Sequence, residues 1–277
     1  MKNIKRVIVP AALLLAAALC SCATAGGTGG KPEDTEAEAY YNRVITNFTQ
    51  VIQLYPEDAA AYYNRGLVYD AKGDYDKAIA DYTQAIRLYP EDAKAYFHRG
   101  IVYYSKGDYD RAIAGYSEAI RLYPDYGDAY YNRGLAYNAK GDYDKAIADY
   151  TQVIRLNPDD AETYYRRGWV YYHQGDIDGA VAGYSEAIRL NPDYAEAYYN
   201  RGIVYIEKGD YDRAIVDFTQ AIRLAPNHMP AYYSRGRAYY SKGDYNRARA
   251  DWEQVLRIDP DNADAQSFLE LLLQAGY

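Results

Sequence analysis

The chain has 277 residues, 37 of them tyrosine against four phenylalanine, and carries 31 basic and 39 acidic side chains. A net charge of −8 argues against nucleic acid or an anionic lipid surface as its partner. Both cysteines lie within the first 22 residues, which leaves no disulfide framework or thiolate metal site for the rest of the chain.

The N-terminal segment reads as an export signal. Lys2, Lys5 and Arg6 precede an apolar run from Val7 to Leu19 that contains Pro10 and is too short for a membrane span. Leu19-Cys20-Ser21-Cys22 resembles a bacterial lipobox, with Cys22 as the lipidated residue; Cys20 departs from that pattern. Ordinary cleavage after Ala23-Thr24-Ala25 is the rival, and it stays open. The expectation is export and lipid attachment at Cys22 to a bacterial membrane, facing the periplasm or the cell surface, with membrane contact through the anchor alone. Loss of residues 1–22 leaves 28 basic against 39 acidic side chains. The glycine-rich stretch over 23–34 reads as a flexible tether.

Residues 35–58 follow. Ala-Tyr-Tyr-Asn-Arg at 39–43 copies 61–65, but twelve residues are then missing relative to the later pattern. Tyr40, Val44, Phe48, Val51 and Tyr55 form one stripe, so a single amphipathic helix is expected over a truncated repeat. From Ala59 to Asn262 a 34-residue unit recurs six times: 59–92, 93–126, 127–160, 161–194, 195–228 and 229–262. In the first copy Tyr62, Gly66 and Tyr69 mark one helical face, and Ala78, Tyr82, Ala85 and Ile86 mark a second. Gly73 ends the first helix, Asp74 and its five counterparts read as N-caps, and Pro90 follows the second helix. A glycine inside helix one costs about 1 kcal/mol against alanine, so Gly66 and its counterparts imply a close helix contact; Ala78 and its counterparts look like the facing residues. Ala265, Phe268, Leu269 and Leu272 form a last stripe, making 263–277 a capping helix.

Tyr62-x-x-Arg65-Gly66-x-x-Tyr69, then Ala78-x-x-x-Tyr82, then Pro90 resembles the tetratricopeptide repeat family over residues 59–262. The resemblance implies an all-α fold, a right-handed α-solenoid of stacked antiparallel helix pairs, with a concave groove lined by helix one. Arg65 and its counterparts replace the family's leucine. A buried arginine wants a carboxylate, and Asp81, Asp149, Asp217 and Asp251 offer one. Copies with Gly115 or Gly183 at that position carry Glu118 or Glu186 three residues later as the expected substitute. Asp-Tyr-Thr-Gln alternates there with Gly-Tyr-Ser-Glu, which points to duplication of a two-repeat block.

No catalytic constellation, phosphate loop or cofactor motif stands out. His98, His173 and His228 lack metal-ligand spacing, so no enzyme activity, metal or cofactor is expected. The groove position nearest the core is aromatic in every copy, Tyr63, Phe97, Tyr131, Tyr165, Tyr199 and Tyr233, either as a packing ladder or as a platform for a peptide. The fourth copy differs most, with Arg166, Trp169, Tyr172 and His173; Tyr104 on one side and Ile203 and Ile206 on the other extend the patch. These residues are the candidate contacts for a protein or peptide partner. Asn64, Lys94 and His98 match only part of the carboxylate clamp that some family members use for chaperone C-termini. A small apolar ligand held among the tyrosines, on behalf of an envelope transporter, is the alternative.

Overall fold

The computed structural model describes residues 32–277. The expected signal, Cys22 and residues 23–31 of the expected tether lie outside them. The described residues form helices and no strand, divided into two compact units on either side of the bond between Tyr123 and Pro124.

The first unit holds α1 (Pro32–Leu54), α2 (Ala59–Lys72), α3 (Tyr75–Leu88), α4 (Ala93–Ser105) and α5 (Tyr109–Leu122). The second holds α6 (Gly127–Ala139), α7 (Tyr143–Leu156), α8 (Ala161–Gln174), α9 (Ile177–Leu190), α10 (Ala195–Glu207), α11 (Tyr211–Leu224), α12 (Met229–Ser241), α13 (Tyr245–Ile258) and α14 (Ala263–Gln274). Within each unit every helix packs on the next in chain order, so the fold is all-α, a tandem stack of helical hairpins. None of these helices is long and apolar enough to cross a membrane.

Helix one of a repeat stops where glycine takes the left-handed conformation, as at Gly73 (φ 82°) and Gly175 (φ 88°), which costs no Cβ clash. The expected aspartate N-caps form in four of the six repeats: Asp108, Asp176, Asp210 and Asp244 accept an amide hydrogen of helix two. Asp74 and Asp142 do not; each carboxylate pairs with a lysine three residues on, Lys77 at 3.0 Å and Lys145 at 2.6 Å.

Gly66 and its counterparts face chiefly the large ring of helix two, and the expected alanine row comes close in repeats two and four, where the Ala112 and Ala180 carbonyls lie 3.3 Å from a Cβ at Gly100 or Gly168. A Cβ at Gly66 would lie 2.9 Å from Cε1 of Tyr82, and one at Gly202 would lie 2.7 Å from the Phe218 ring. The glycine makes room for the large ring of helix two, which is fully buried as Tyr82, Tyr116, Tyr150, Tyr184, Phe218 or Trp252. The alanines Ala78 to Ala248 are buried beside these rings.

The arginine of helix one is held as expected in four repeats. Arg65, Arg133, Arg201 and Arg235 donate through Nε and Nη2 to both oxygens of Asp81, Asp149, Asp217 and Asp251, at 2.7–2.9 Å. In repeats two and four the expected glutamate substitute fails. Glu118 pairs with Arg121 and Glu186 with Arg189, each three residues along its own exposed helix face at 2.6 Å. Arg99 and Arg167 keep one hydrogen bond, to Thr83 and Thr151 at 3.1 Å, and their buried Nε atoms have no partner.

At the N-terminal end Tyr40, Val44, Phe48 and Val51 are half-buried, whereas Tyr55 falls in the turn beyond α1 and is 65% exposed, outside the expected stripe. At the C-terminal end Phe268 stacks on Trp252 with centroids 4.6 Å apart, and Ala265 and Leu272 are buried. Ion pairs thirty residues apart join neighbouring repeats: Lys106 to Asp76 at 2.5 Å in the first unit, Lys208 to Asp178 at 2.6 Å and Lys242 to Asp212 in the second. Between repeats three and four the same link is neutral, from Gln174 to Asp144 at 2.6 Å.

Candidate functional site

The ring that opens each helix-one face rests on the helix-two ring of its own repeat. Tyr131 packs on Tyr150, Tyr165 on Tyr184 and Tyr199 on Phe218, with centroids 5.6–5.8 Å apart. Each tyrosine is thus fixed by the core on one side and half-exposed on the other. This is structural packing within a repeat, with one outward edge left for contact.

Repeat four concentrates polar side chains on this surface. Arg166 donates Nε–H to Oε1 of Glu162 at 2.6 Å, one helical turn away. The Tyr131 hydroxyl approaches the same oxygen at 3.5 Å, and the Tyr194 hydroxyl donates to Oε2. Burial and then this bond to a carboxylate push the Tyr194 hydroxyl well above the ordinary phenol range. Burial pulls down on Arg166, but Glu162 outweighs it and holds the guanidinium charged. Asn200 Nδ2 donates to the Tyr165 hydroxyl at 2.8 Å, and the rings of Tyr165 and Tyr194 lie 4.9 Å apart. Side chains of repeats three and four therefore meet at Glu162, and Asn200 of repeat five reaches the neighbouring Tyr165.

One turn further along α8, Trp169 and His173 stack with centroids 3.5 Å apart, and His173 Nδ1 donates to the Trp169 carbonyl at 2.9 Å. The Tyr172 hydroxyl donates to Glu207 of repeat five; burial, then that carboxylate, pushes its pKa up to about 12. Trp169 is half-buried, packed against the cores of both Ala146, Tyr150 and Val170 and Ala180, Tyr184 and Val204. It is a core wedge with an open edge, where the sequence suggests a surface anchor alone. Ile203 and Ile206 join Tyr199 against Phe218 and Tyr205.

Of the ten candidate contacts, Tyr131, Tyr165, Arg166, Trp169, Tyr172, His173, Tyr199, Ile203 and Ile206 all lie on helix one of repeats three to five. Tyr104 belongs to the first unit, where its ring packs on Tyr109 at 5.3 Å. Glu162, Tyr194, Asn200 and Glu207 went unnoticed in the sequence. Tyr194 left a signal, since it stands where Asp58, Asp92 and Asp160 cap their helices. In the first unit two of the three partial-clamp residues are unsuited to hold a carboxylate. Asn64 donates to the Ala60 carbonyl at 2.8 Å, and burial among Tyr63, Tyr82 and Phe97 lowers the pKa of His98 to about 4, leaving it no charge for a carboxylate at neutral pH.

Models described as tetratricopeptide repeat match residues 35–93, 69–127 and 99–161, then 149–182, 195–228 and 218–250; a further TPR repeat model matches 168–208 and 236–269. No curated protein matches the chain. Among solved structures, YrrB, described as a TPR protein with an unusual peptide-binding site, is 28% identical with a TM-score of 0.61, over 68% of this chain and 97% of its own. MamA is 30% identical with a TM-score of 0.57, over 60% of this chain and 96% of its own. The C-terminal part of a TPR repeat-containing protein from Cytophaga hutchinsonii shares the fold, with a TM-score of 0.73 at 21% identity over 85% of this chain and 98% of its own.

Proposed function

The chain belongs to the tetratricopeptide repeat family, and we propose that it is a non-enzymatic interaction protein that holds an extended segment of a protein partner along helix one of repeats three to five. The observation that carries this reading is the surface around Trp169: rings fixed from behind by the core, half-exposed in front, with polar groups bonded across three repeats. Rigid aromatic side chains give large contact area at small entropic cost, and tryptophan, tyrosine and arginine dominate binding hot spots. The likeness to YrrB, whose site takes a peptide, supports the same use of the fold.

The test selects binding peptides on the full chain and compares Trp169→Phe with Trp169→Ala. The phenyl ring fills most of the wedge, so Trp169→Phe should stay folded yet lose about 2 kcal/mol of affinity, the hot-spot range. Trp169→Ala should in addition lower the melting temperature. Selected peptides that bind Trp169→Phe at full strength would sink the assignment, and a small apolar compound shielding only one or two repeats from hydrogen exchange would favour the small-ligand alternative.

The proposal extends to place. Lys2, Lys5, Arg6, the apolar run and Cys22 support export and lipid attachment, so the partner is met in the cell envelope. Cys22→Ser should abolish labelling by a fatty acid and release the protein from membranes; a variant still labelled and membrane-bound would remove the anchor from the account.

A further inference from the structure

Resting on the peptide-binding reading, we infer that the segment held by repeats three to five is cationic, with two lysine or arginine side chains flanking an apolar one. Each helix one in this stretch places a carboxylate three residues before its groove ring: Asp128 and Tyr131 on α6, Glu162 and Tyr165 on α8, Glu196 and Tyr199 on α10. Residues three apart share a helix face, so each repeat presents an acid beside an aromatic edge. The combination suits a lysine or arginine, whose charge gains from the carboxylate while its apolar stem lies along the ring edge.

The three rungs are not equivalent. Glu162 is filled by Arg166 and Tyr194, so the middle rung is neutral, and the open feature there is the Trp169 edge. Asp128 and Glu196 are exposed, and within the second unit their carboxylates hold no ion pair or hydrogen bond. The cations of these helices are already committed: Arg133 and Arg201 to Asp149 and Asp217, Arg166 to Glu162, and Arg167 to Thr151 on the side of α7. Of the three carboxylates in this row, those left without a cation are therefore Asp128 and Glu196, one at each end. Repeats one and two lack the row, with Ala60 and Lys94 at that position, and repeat six has Pro230.

Spacing sets the pattern of the ligand. Helices pack about 10 Å apart, so equivalent side chains two repeats apart are on the order of 20 Å from one another. An extended chain advances roughly 3.4 Å per residue, which puts the two cations about six residues apart.

The probes are two synthetic twelve-residue peptides, each with a central leucine, one with lysines six residues apart around it and one with glutamates in the same places. Binding to the full chain is followed by tryptophan emission; Trp252 is fully buried, so a change reports Trp169. The lysine peptide should bind, more weakly as salt rises. The Asp128→Asn, Glu196→Gln double variant should lose about fivefold in Kd, as expected for two exposed ion pairs. Equal binding of the glutamate peptide, or binding of the lysine peptide that ignores the double variant, would overturn the cationic class and leave the peptide-binding reading standing. Should neither these peptides nor those selected on the full chain alter Trp169 emission, both would fall.

Discussion

Repeats four and five share one design and close it differently. In repeat five Asp217, 2% exposed, takes both Nε and Nη2 of Arg201 at 2.8 Å, and Ser185 takes Nη1 at 2.9 Å. In repeat four the aspartate is replaced by Gly183, which brings backbone against backbone: a Cβ there would meet Gly168 Cα at 2.6 Å and the Tyr164 carbonyl at 3.0 Å. Arg167 then keeps Thr151 and lies over the rings of Tyr164 and Tyr171, 5.5 and 5.9 Å from their centroids. Repeat two has the same arrangement with Arg99, Gly115 and Gly100. A helical hairpin can thus be closed by a forked ion pair or by direct backbone approach, but a given hairpin cannot use both.

The strongest test moves the aspartate into the wrong hairpin. Gly183→Asp should destabilise the protein by more than about 3 kcal/mol in urea unfolding, because the new side chain must push α8 and α9 apart before it can reach Arg167. A neutral or stabilising effect would show that the ion pair is available to both kinds of repeat. The reverse change is expected to cost less. Asp217→Ala leaves Arg201 as Arg167 already stands in repeat four, without a carboxylate and with one hydroxyl partner, and should cost about 2–3 kcal/mol.

Acid separates the copies at another place. His98 of repeat two stands where Asn64, Asn132 and Asn200 stand in its sisters. Its pKa falls to about 4 through burial, against 6.5 for the open side chain, with Asp92 acting to raise it and Lys94 to lower it. Between these values the unfolded chain binds the proton and the folded one does not, so stability is lost as pH falls from 6.5 towards 4, by about 3 kcal/mol. His98→Asn should flatten that slope; an unchanged slope would place the acid sensitivity elsewhere. The smallest effect compares Arg201→Lys with Arg167→Lys. Lysine cannot reproduce the fork, so the first should cost about 1 kcal/mol and the second close to nothing; equal losses would mean that the forked geometry adds no stability.

Periodicity made the hairpins legible because burial repeats with the chain. Gly66, Arg65 and a large ring at the Tyr82 position recur every 34 residues, and each has a geometric reason to do so. The pairing of Arg65 with Asp81 was readable for the same reason, since a buried guanidinium constrains what lies opposite. Glu118 and Glu186 misled because distance along a helix is not direction: three residues on, they reach only the exposed face of their own helix. The Glu162 network was hidden for a different cause. Tyr194 sits in a turn and Asn200 on the next helix, and only the stacking of one repeat on another brings them to Glu162 and Tyr165. Trp169 was visible as an exception, but its double role was not, because a side chain that wedges between two cores leaves no mark on the pattern of either.

The bridges thirty residues apart give each unit a row of stitches, one per junction. Pulled from its ends, such a row has no reason to yield all at once; it runs, hairpin after hairpin, each freeing roughly 110 Å of chain. In the second unit the stitch between repeats three and four, Gln174 to Asp144, carries no paired charge, while Lys208 to Asp178 and Lys242 to Asp212 do. That junction is the one in the row stitched without a paired charge, and Trp169 spans it from the groove side. A bound segment crossing Trp169 would act as a splint across it.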